Sequence, residues 1–297
     1  MPSGRQLQYL GVIKPGYFVI GATKAGTTSL CELLGEHPDV YMTPMKEPQF
    51  FSFPHRYAKG YEWYASLFVD AGDCKAVGEG STSYSWLGVY PQVVDRLLEY
   101  SPDARIIYMV RNPLPRLESL WIEMRHHGMS IPASFAKTLR CCPEFIDSSL
   151  YSSQISQYRR RIGEQRLLVL FFEDFTADPE AQLRRCFEHL GVDPQVEIEG
   201  ARDPRNVWQG KHQDGAILAA MRRVPIYNRL RDKVVPKSWR RAIKRTLVRP
   251  IEHRPQWDGP THQWVVDRIG PDVAELLECY GKPSDYWSMD RPAAGRD

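Results

Sequence analysis

Apolar runs of strand length alternate with helical spacing over the first two thirds of the chain. Residues 17–20 (YFVI) form an apolar run that leads into a turn of Gly, Thr and Ser and then a helical pattern. Residues 104–110 and 167–172 predict two more buried strands, each followed by a helix, one at 113–127 and one ending at Gly191. Such strands predict a parallel sheet covered on both faces, a three-layer α/β sandwich with ligands at the carboxyl ends of its strands.

The composition is that of an ordinary globular enzyme. The 297 residues are 42% hydrophobic and 25% charged, which favours one catalytic domain over 1–297. The start lacks the apolar core of a signal peptide, and no run approaches the roughly 20 apolar residues of a membrane span, so we expect a cytoplasmic protein. Six scattered cysteines favour reduced thiols, and eight dispersed histidines predict no metal site.

The positive charge is concentrated late in the chain. Between Arg222 and Arg249 there are eleven Lys or Arg against one acid, Asp232. The spacing predicts two short amphipathic helices in a basic segment at about 222–250. Three roles are open for the basic face of this segment. It is exposed to solvent, it forms a lid over an anionic or lipid-bearing acceptor, or it contacts an anionic membrane peripherally. Nucleic acid is not expected, because no motif that reads bases accompanies the charge.

The turn from Gly21 to Ser29 has the composition of a phosphate site. Its glycines allow the backbone to approach a ligand, and the N-terminus of the following helix favours anions. The pattern nearly matches G-x-x-x-x-G-K-[ST], but Lys24 lies inside the loop and Thr27 occupies the usual lysine position. The neighbouring strand ends in Arg111 rather than in an acid for Mg²⁺. We therefore expect side chains and backbone amides, not a metal, to neutralise the phosphates.

A second anion site is predicted where that strand meets its helix. Prolines occupy the first turn of the helix, and Arg111 and Ser119 are spaced to reach one further phosphate. A nucleotide with two separated phosphate groups would occupy both sites. Glu173 and Asp174, which follow the third strand, are interpreted as a cap for the next helix rather than as a metal-binding pair.

Together, GATKAGTTSL and VRNPLPRLES resemble the two cofactor motifs of sulfotransferases that use 3′-phosphoadenosine 5′-phosphosulfate (PAPS). KEPQFFS at 46–52 resembles the acceptor-side motif of the glycan-type branch, which includes heparan sulfate sulfotransferases and many bacterial relatives. The resemblance runs from about residue 15 to about 195. It implies a sulfotransferase fold like that of P-loop nucleoside triphosphate hydrolases, with PAPS as donor and O-sulfation of an acceptor hydroxyl.

The resemblance also implies roles for individual residues. Glu47 would be the general base, and Lys24 would stabilise the leaving group. The donor would be bound by Lys24, Ala25, Gly26, Thr27, Thr28, Ser29, Arg111 and Ser119, with Lys211 of a closing basic loop. Gln49, Phe51 and Tyr84 would contact the acceptor, a small-molecule natural product, a lipid or a carbohydrate.

The chain departs from the family pattern at two positions. Gln49 stands where many relatives have histidine, and Gly80, after Glu79, stands where glycan enzymes have a second catalytic lysine. Two alternatives therefore remain. One is an ATP-dependent P-loop kinase of a small molecule, which Thr27 and Arg111 disfavour, and the other is a nucleotide-binding protein without catalysis.

Overall fold

The computed structural model describes residues 13–201, 212–214, 248–250 and 255–291. Its centre is a parallel five-stranded sheet in the order β2-β3-β1-β4-β5. The strands are β1 (Tyr17–Gly21), β2 (Val40–Met42), β3 (Ala76–Gly80), β4 (Arg105–Val110) and β5 (Leu167–Phe171). The predicted parallel sheet and its strands β1, β4 and β5 are confirmed.

Helices connect the strands. They are α1 (Thr27–Leu34), α2 (Pro54–Tyr57), α3 (Gly60–Ala65), α4 (Val93–Tyr100), α5 (Pro113–His126), α6 (Phe135–Cys141), α7 (Pro143–Asp147), α8 (Tyr151–Ile162), α9 (Phe172–Ala177), α10 (Pro179–Leu190) and α11 (Gly259–Cys279). Short 3₁₀ turns occupy Ser66–Ala71, Thr82–Ser85 and Glu164–Arg166. The predicted helix after the second anion motif is α5, and α10 ends at Gly191 in the left-handed conformation, as expected.

Helices cover both faces of the sheet. Along β4, Arg105 donates a hydrogen bond to the His189 carbonyl of α10, whereas the Tyr108 hydroxyl donates to Gln154 of α8. Residues 105 and 108 point to opposite faces of a strand, so α8 and α10 lie on opposite sides. Every residue of β1 is buried, because that strand has a neighbour on each edge and a helix layer on each face. The three-layer α/β architecture is therefore confirmed.

The C-terminal part of the described chain closes one side of the domain. Helix α11 packs on α8, where the Asp272 carboxylate accepts hydrogen bonds from the backbone N–H groups of Ser152 and Ser153, each at 2.9 Å. Trp287, which follows, is only 2% exposed and packs on Tyr151 and Phe171. This segment therefore packs against the core.

Most of the basic segment lies outside the described residues, including its two predicted helices. Its last residues, Val248–Pro250, form β7, which pairs antiparallel with β6 (His212–Asp214). The expected helical character thus does not extend to 248–250. Strand β6 lies beside α5.

Candidate active site

The phosphate-type turn lies between β1 and α1, at the carboxyl end of the central strand. Gly26 has a φ of 91°, and a Cβ at this position would lie 2.8 Å from Cδ2 of Phe172, so glycine is required here. Among the described residues, no side chain caps the N-terminus of α1. The helix therefore presents its first N–H groups at the turn, as anion-binding helices do.

The two anion motifs are in direct contact. Arg111 Nη1 donates to the Lys24 carbonyl at 3.0 Å, and its guanidinium lies 4.6 Å from the centre of the Phe172 ring. Burial lowers the pKa of Arg111 from its usual value. Three hydroxyl residues of the two motifs are half-buried, namely Thr28, Ser29 and Ser119. The structure thus brings the turn at 24–29, Arg111 and Ser119 to one end of the sheet.

Arg116, which the sequence analysis did not select, joins this turn to the next layer. Its side chain is completely buried. Nη1 donates to the Thr23 carbonyl at 3.2 Å, and Nη2 donates to the hydroxyls of Ser148 and Ser149 at 3.1 and 2.6 Å. A buried guanidinium is expensive to desolvate, and the contacts of the two Nη groups offset that cost, although Nε has no hydrogen-bond partner within the described residues. The signal for it was an arginine at a position of α5 flanked by the buried Leu114 and Leu117.

The Lys24 ammonium does not point into empty solvent. Its Nζ lies 2.9 Å from Oε2 of Glu123, and the side chains are 20% and 28% exposed. Glu123 is one turn beyond Ser119 on α5, and its other oxygen lies 3.1 Å from Nε2 of His127. Lys24 is therefore paired with an acid from the helix of the second anion motif, a partner the sequence analysis did not select.

Glu47 occupies a tight turn beside these groups. Its φ is 49°, and that of Gln49 is 53°, both in the left-handed region. Glu47 Oε2 accepts hydrogen bonds from Gln49 Nε2 at 2.9 Å and from Thr82 Oγ1 at 3.2 Å. Burial raises the pKa of Glu47, and the charge of Glu123 raises it further, against the opposing hydrogen bonds and Lys46. The carboxylate is thus more basic than an exposed glutamate.

A second carboxyl group, Glu79, lies at the end of β3 with no exposed surface. Three hydroxyls donate to it, from Tyr64 at 2.8 Å, Ser81 at 2.6 Å and Tyr84 at 2.6 Å. Burial raises the pKa of Glu79 to about 7, and the charge of Glu47 adds to that shift. This group was noted in the sequence only as the start of a motif that departs from the family pattern.

Two residues expected to contact the acceptor are core residues instead. Phe51 and Tyr84 are 0% exposed and pack against each other at 5.6 Å between ring centres. The family resemblance implied that these side chains contact the acceptor, but the two rings fill the space between the loop and the sheet. In this conformation neither can touch a bound molecule. Gln49 is half-buried and reaches Glu47, so it supports the candidate base directly.

Gly80, which stands where glycan enzymes have a second lysine, has no room for a side chain. A Cβ on Gly80 would lie 2.5 Å from Sγ of Cys31, a residue of α1. The thiol therefore occupies the space into which a side chain at position 80 would project. Cys31 and Gly80 fit each other, and a lysine here would require Cys31 to move.

The remaining predicted groups fall in different places. Lys211 lies outside the described residues. Glu173 and Asp174 lie within α9, and the cap of α10 is Asp178, so the interpretation of the pair as that cap was wrong. Glu173 instead accepts the N–H of Asn112 at 2.9 Å, at the start of α5.

Cysteines, possible metal ligands and long apolar helices were also considered as features of the described residues. All six cysteines are free. Within residues 13–201 and the three later described stretches, no group of three or more His, Cys, Asp and Glu could hold a metal ion. In the same residues, no helix combines the length and apolarity that a bilayer crossing demands.

The sheet order, the glycine turn at the end of β1 and the uncapped helix define a nucleotide-binding α/β protein of the P-loop class. The comparison with protein families makes this more specific. The model of the sulfotransferase domain matches residues 14–203. The chain therefore belongs to the sulfotransferase family.

Relatives and solved structures agree with this assignment. Mouse heparan sulfate glucosamine 3-O-sulfotransferase 3A1 is 30% identical over 186 residues, 60% of this chain and 46% of the relative. The human 3-O-sulfotransferase 6 is 28% identical over 185 residues, 60% of this chain and 52% of the relative. The chain thus spans about half the length of the curated relatives it matches.

A sulfotransferase from Alicyclobacillus acidocaldarius shares the fold with a TM-score of 0.66 at 23% identity, over 92% of this chain and 98% of that one. A mouse sulfotransferase, SULT7A1, complexed with PAP, aligns with a TM-score of 0.50 at 14% identity, over 91% of this chain and 89% of that one.

Proposed function

We propose that this protein transfers a sulfuryl group from PAPS to an acceptor hydroxyl. The observation that carries the proposal is that Glu123 links a lysine of the phosphate turn to the half-buried carboxylate of the 47–49 turn. Lys24 Nζ contacts Glu123 at 2.9 Å, and the same Glu123 charge raises the pKa of Glu47. A cation for a leaving group and a base for a hydroxyl therefore belong to one site.

The donor side fits a nucleotide with two separate phosphate groups. The turn at residues 24–29 and the N-terminus of α1 bind the 5′-phosphosulfate, and Arg111 with Ser119 binds the 3′-phosphate. Support comes from the contact of Arg111 with the turn, and from a fold neighbour solved with PAP. Arg111, rather than an acid, follows β4 at this point. Side chains and backbone N–H groups therefore neutralise the phosphate charge in the proposed complex.

In the proposed reaction Glu47 removes the proton of the acceptor hydroxyl as its oxygen attacks sulfur. The bond from sulfur to the bridging oxygen of the donor breaks, and negative charge develops on that oxygen. Lys24 stabilises this charge once it leaves Glu123. General base catalysis of this kind contributes about 10²- to 10⁴-fold, and the partial burial of Glu47 gives it the required basicity.

The acceptor is a small-molecule natural product, a lipid or a carbohydrate. The names of the curated relatives specify heparan sulfate glucosamine, which supports a carbohydrate hydroxyl. Gly80, with Cys31 behind it, stands where glycan enzymes would have the second lysine, which argues for an acceptor chemistry different from theirs.

The test is transfer of radiolabelled sulfate from PAPS to a panel of alcohols, in the wild type and in Glu47→Gln. We expect the variant to bind adenosine 3′,5′-bisphosphate normally while turnover falls about 10²- to 10⁴-fold, because the substitution removes the base and keeps its shape. Near-normal turnover in the variant would exclude Glu47 as the base. No transfer by the wild type to any acceptor would favour a binding protein without catalysis.

A further inference from the structure

The turn that carries Glu47 is attached to the sheet through hydroxyl groups. The backbone N–H of Gln49 donates to Ser81 Oγ at 2.9 Å. The backbone N–H of Phe51 donates to the Tyr84 hydroxyl oxygen at 3.4 Å. Both acceptors lie in the segment that follows β3, more than thirty residues away in the sequence. These two contacts help to fix the position of the turn, beside the hydrogen bonds from Thr82 to Glu47 and from Arg96 to the Phe51 carbonyl.

Each of these hydroxyls accepts from the turn because its own proton is used elsewhere. A hydroxyl has one proton to donate and two lone pairs that accept. Ser81 and Tyr84 both donate that proton to Glu79, at 2.6 Å each. With their protons committed, the two oxygens are left to accept the N–H groups of Gln49 and Phe51. Glu79 thereby fixes the direction of both contacts.

The turn needs such support because its conformation is strained. Glu47 and Gln49 are non-glycine residues in the left-handed region, which costs about 1–3 kcal/mol each and persists only where the surroundings impose it. The Gln49 side chain, placed by this turn, then donates to Glu47 Oε2 at 2.9 Å. A path of hydrogen bonds that runs through Ser81 and through Gln49 thus connects the buried Glu79 to the half-buried Glu47 carboxylate.

We propose that Glu79 is a positioning residue, which holds the 47–51 turn through Ser81 and Tyr84 and so orients the Glu47 carboxylate toward the acceptor. The inference rests on the proposed function, since it needs Glu47 as the base. Glu79 thereby has a role in sulfuryl transfer, although this buried acid of β3 touches neither donor nor acceptor.

The role has a pH dependence, because Glu79 is a titratable group among other titratable groups. The groups that face it are Tyr64 and Tyr84, which donate to it, Glu47 across the turn, and the Cys31 thiol, whose pKa is raised by burial and then by Glu79. Lys46 lies beside Glu47 and lowers the pKa of Glu47. Burial and then the charge of Glu47 raise the pKa of Glu79, so Glu79 becomes ionised as the pH rises through about 7.

Two tyrosines give a matched pair of variants. Tyr64 and Tyr84 are both completely buried, and both donate to the same oxygen of Glu79. Only the Tyr84 hydroxyl also accepts an N–H of the turn. Tyr84→Phe therefore removes an anchor of the turn together with a donor to Glu79, whereas Tyr64→Phe removes a donor alone.

The experiment measures kcat against pH, affinity for adenosine 3′,5′-bisphosphate, and backbone hydrogen exchange of the 45–53 peptide, in full-length protein. For Glu79→Gln and Tyr84→Phe we expect faster exchange in that peptide, near-normal nucleotide affinity and a kcat about 10- to 100-fold lower, because small misplacements of a base are costly. Tyr64→Phe should lower kcat less and leave the exchange rate near that of the wild type. The kcat profile of Glu79→Gln should lose the change near pH 7, where Glu79 titrates in the wild type.

Unchanged exchange in the 45–53 peptide of both Glu79→Gln and Tyr84→Phe would overturn the positioning role. Equal effects of the two tyrosine variants would also overturn it, since they would show a loss of core stability instead. The exchange measurement needs no turnover. If the turn is loosened as expected but the wild type transfers no sulfate, the role of Glu79 in holding the turn stands and the proposed function fails.

Discussion

The turn at 21–29 presents backbone N–H groups of a helix N-terminus to its ligand, whereas the turn at 47–51 presents side chains that buried hydroxyls hold in place. The first has a glycine that the neighbouring Phe172 makes obligatory, and its carbonyls accept hydrogen bonds from Arg111 and Arg116. The second is fixed by hydroxyls that bond to Glu79 and holds Glu47 and Gln49 in the left-handed region, as the first holds Lys24. A donor common to a whole family suits a backbone site. An acceptor side that differs between enzymes suits one built from exchangeable side chains.

The largest effect that would test this difference is expected at Lys24, the one side chain of the donor turn assigned to chemistry. In Lys24→Ala, kcat should fall about 10²- to 10³-fold, because one preorganised cation at the developing charge is lost. Affinity for adenosine 3′,5′-bisphosphate should fall much less, since backbone groups retain the phosphate. Steady-state kinetics with calorimetry measures both. A parallel fall in affinity and kcat would show that Lys24 acts in ground-state binding.

Arg116 tests whether the donor turn is held by backbone alone. In Arg116→Met the carbonyl of Thr23 and the hydroxyls of Ser148 and Ser149 lose their donor, and each unsatisfied buried group costs about 1–3 kcal/mol. We expect the free energy of unfolding in urea to fall by roughly 3 kcal/mol and nucleotide affinity to weaken. Arg160→Met, at an exposed position of α8, is the control and should change neither. Normal nucleotide affinity in the Arg116 variant would mean that the turn keeps its shape without this support.

The acceptor side should respond to pH in a way that the donor side does not. The pKa of Glu79 is raised by burial from 4.5 to about 7, so its contribution to stability is fully present below pH 4.5 and is lost as the pH rises through about 7. The free energy of unfolding of the wild type should therefore fall over this window more than that of Glu79→Gln. Urea titrations at pH 5 and pH 8 compare the two. If the free energy of unfolding changed equally between pH 5 and pH 8 in both proteins, ionisation of Glu79 would not destabilise the fold.

Glu123 joins the two sides, and its variant should give the smallest effect. Its carboxylate competes with a bound phosphate for the Lys24 ammonium. Partly exposed pairs are worth up to about 1 kcal/mol, so Glu123→Gln should bind adenosine 3′,5′-bisphosphate up to about fivefold more tightly. His127→Gln removes the other partner of Glu123 and should not tighten binding. Weaker binding in Glu123→Gln would show that the acid supports the donor site rather than competing with it.

The same contrast explains what could be predicted from the sequence. Strands β1, β4 and β5 are continuous apolar runs, and the donor turn connects β1 directly to α1. Local sequence patterns therefore predicted these strands and the turn. Strands β2 and β3 were missed because one has three residues and the other, AVGEG, has two glycines and an acid. The burial of Phe51 and Tyr84 and the network at Glu79 join residues 46–52 to residues 79–84. No local pattern encodes that contact.

In the proposed function the turn at 21–29, with Arg111 and Ser119, binds a nucleotide with two separate phosphate groups. Calorimetry of the full-length protein with adenosine 3′,5′-bisphosphate, with and without Mg²⁺, and with ATP plus Mg²⁺ tests it most directly. We predict that the bisphosphate binds, that Mg²⁺ leaves its affinity unchanged, and that ATP with Mg²⁺ binds more weakly. Tighter binding of ATP with Mg²⁺ and no binding of the bisphosphate would contradict the account and favour a kinase.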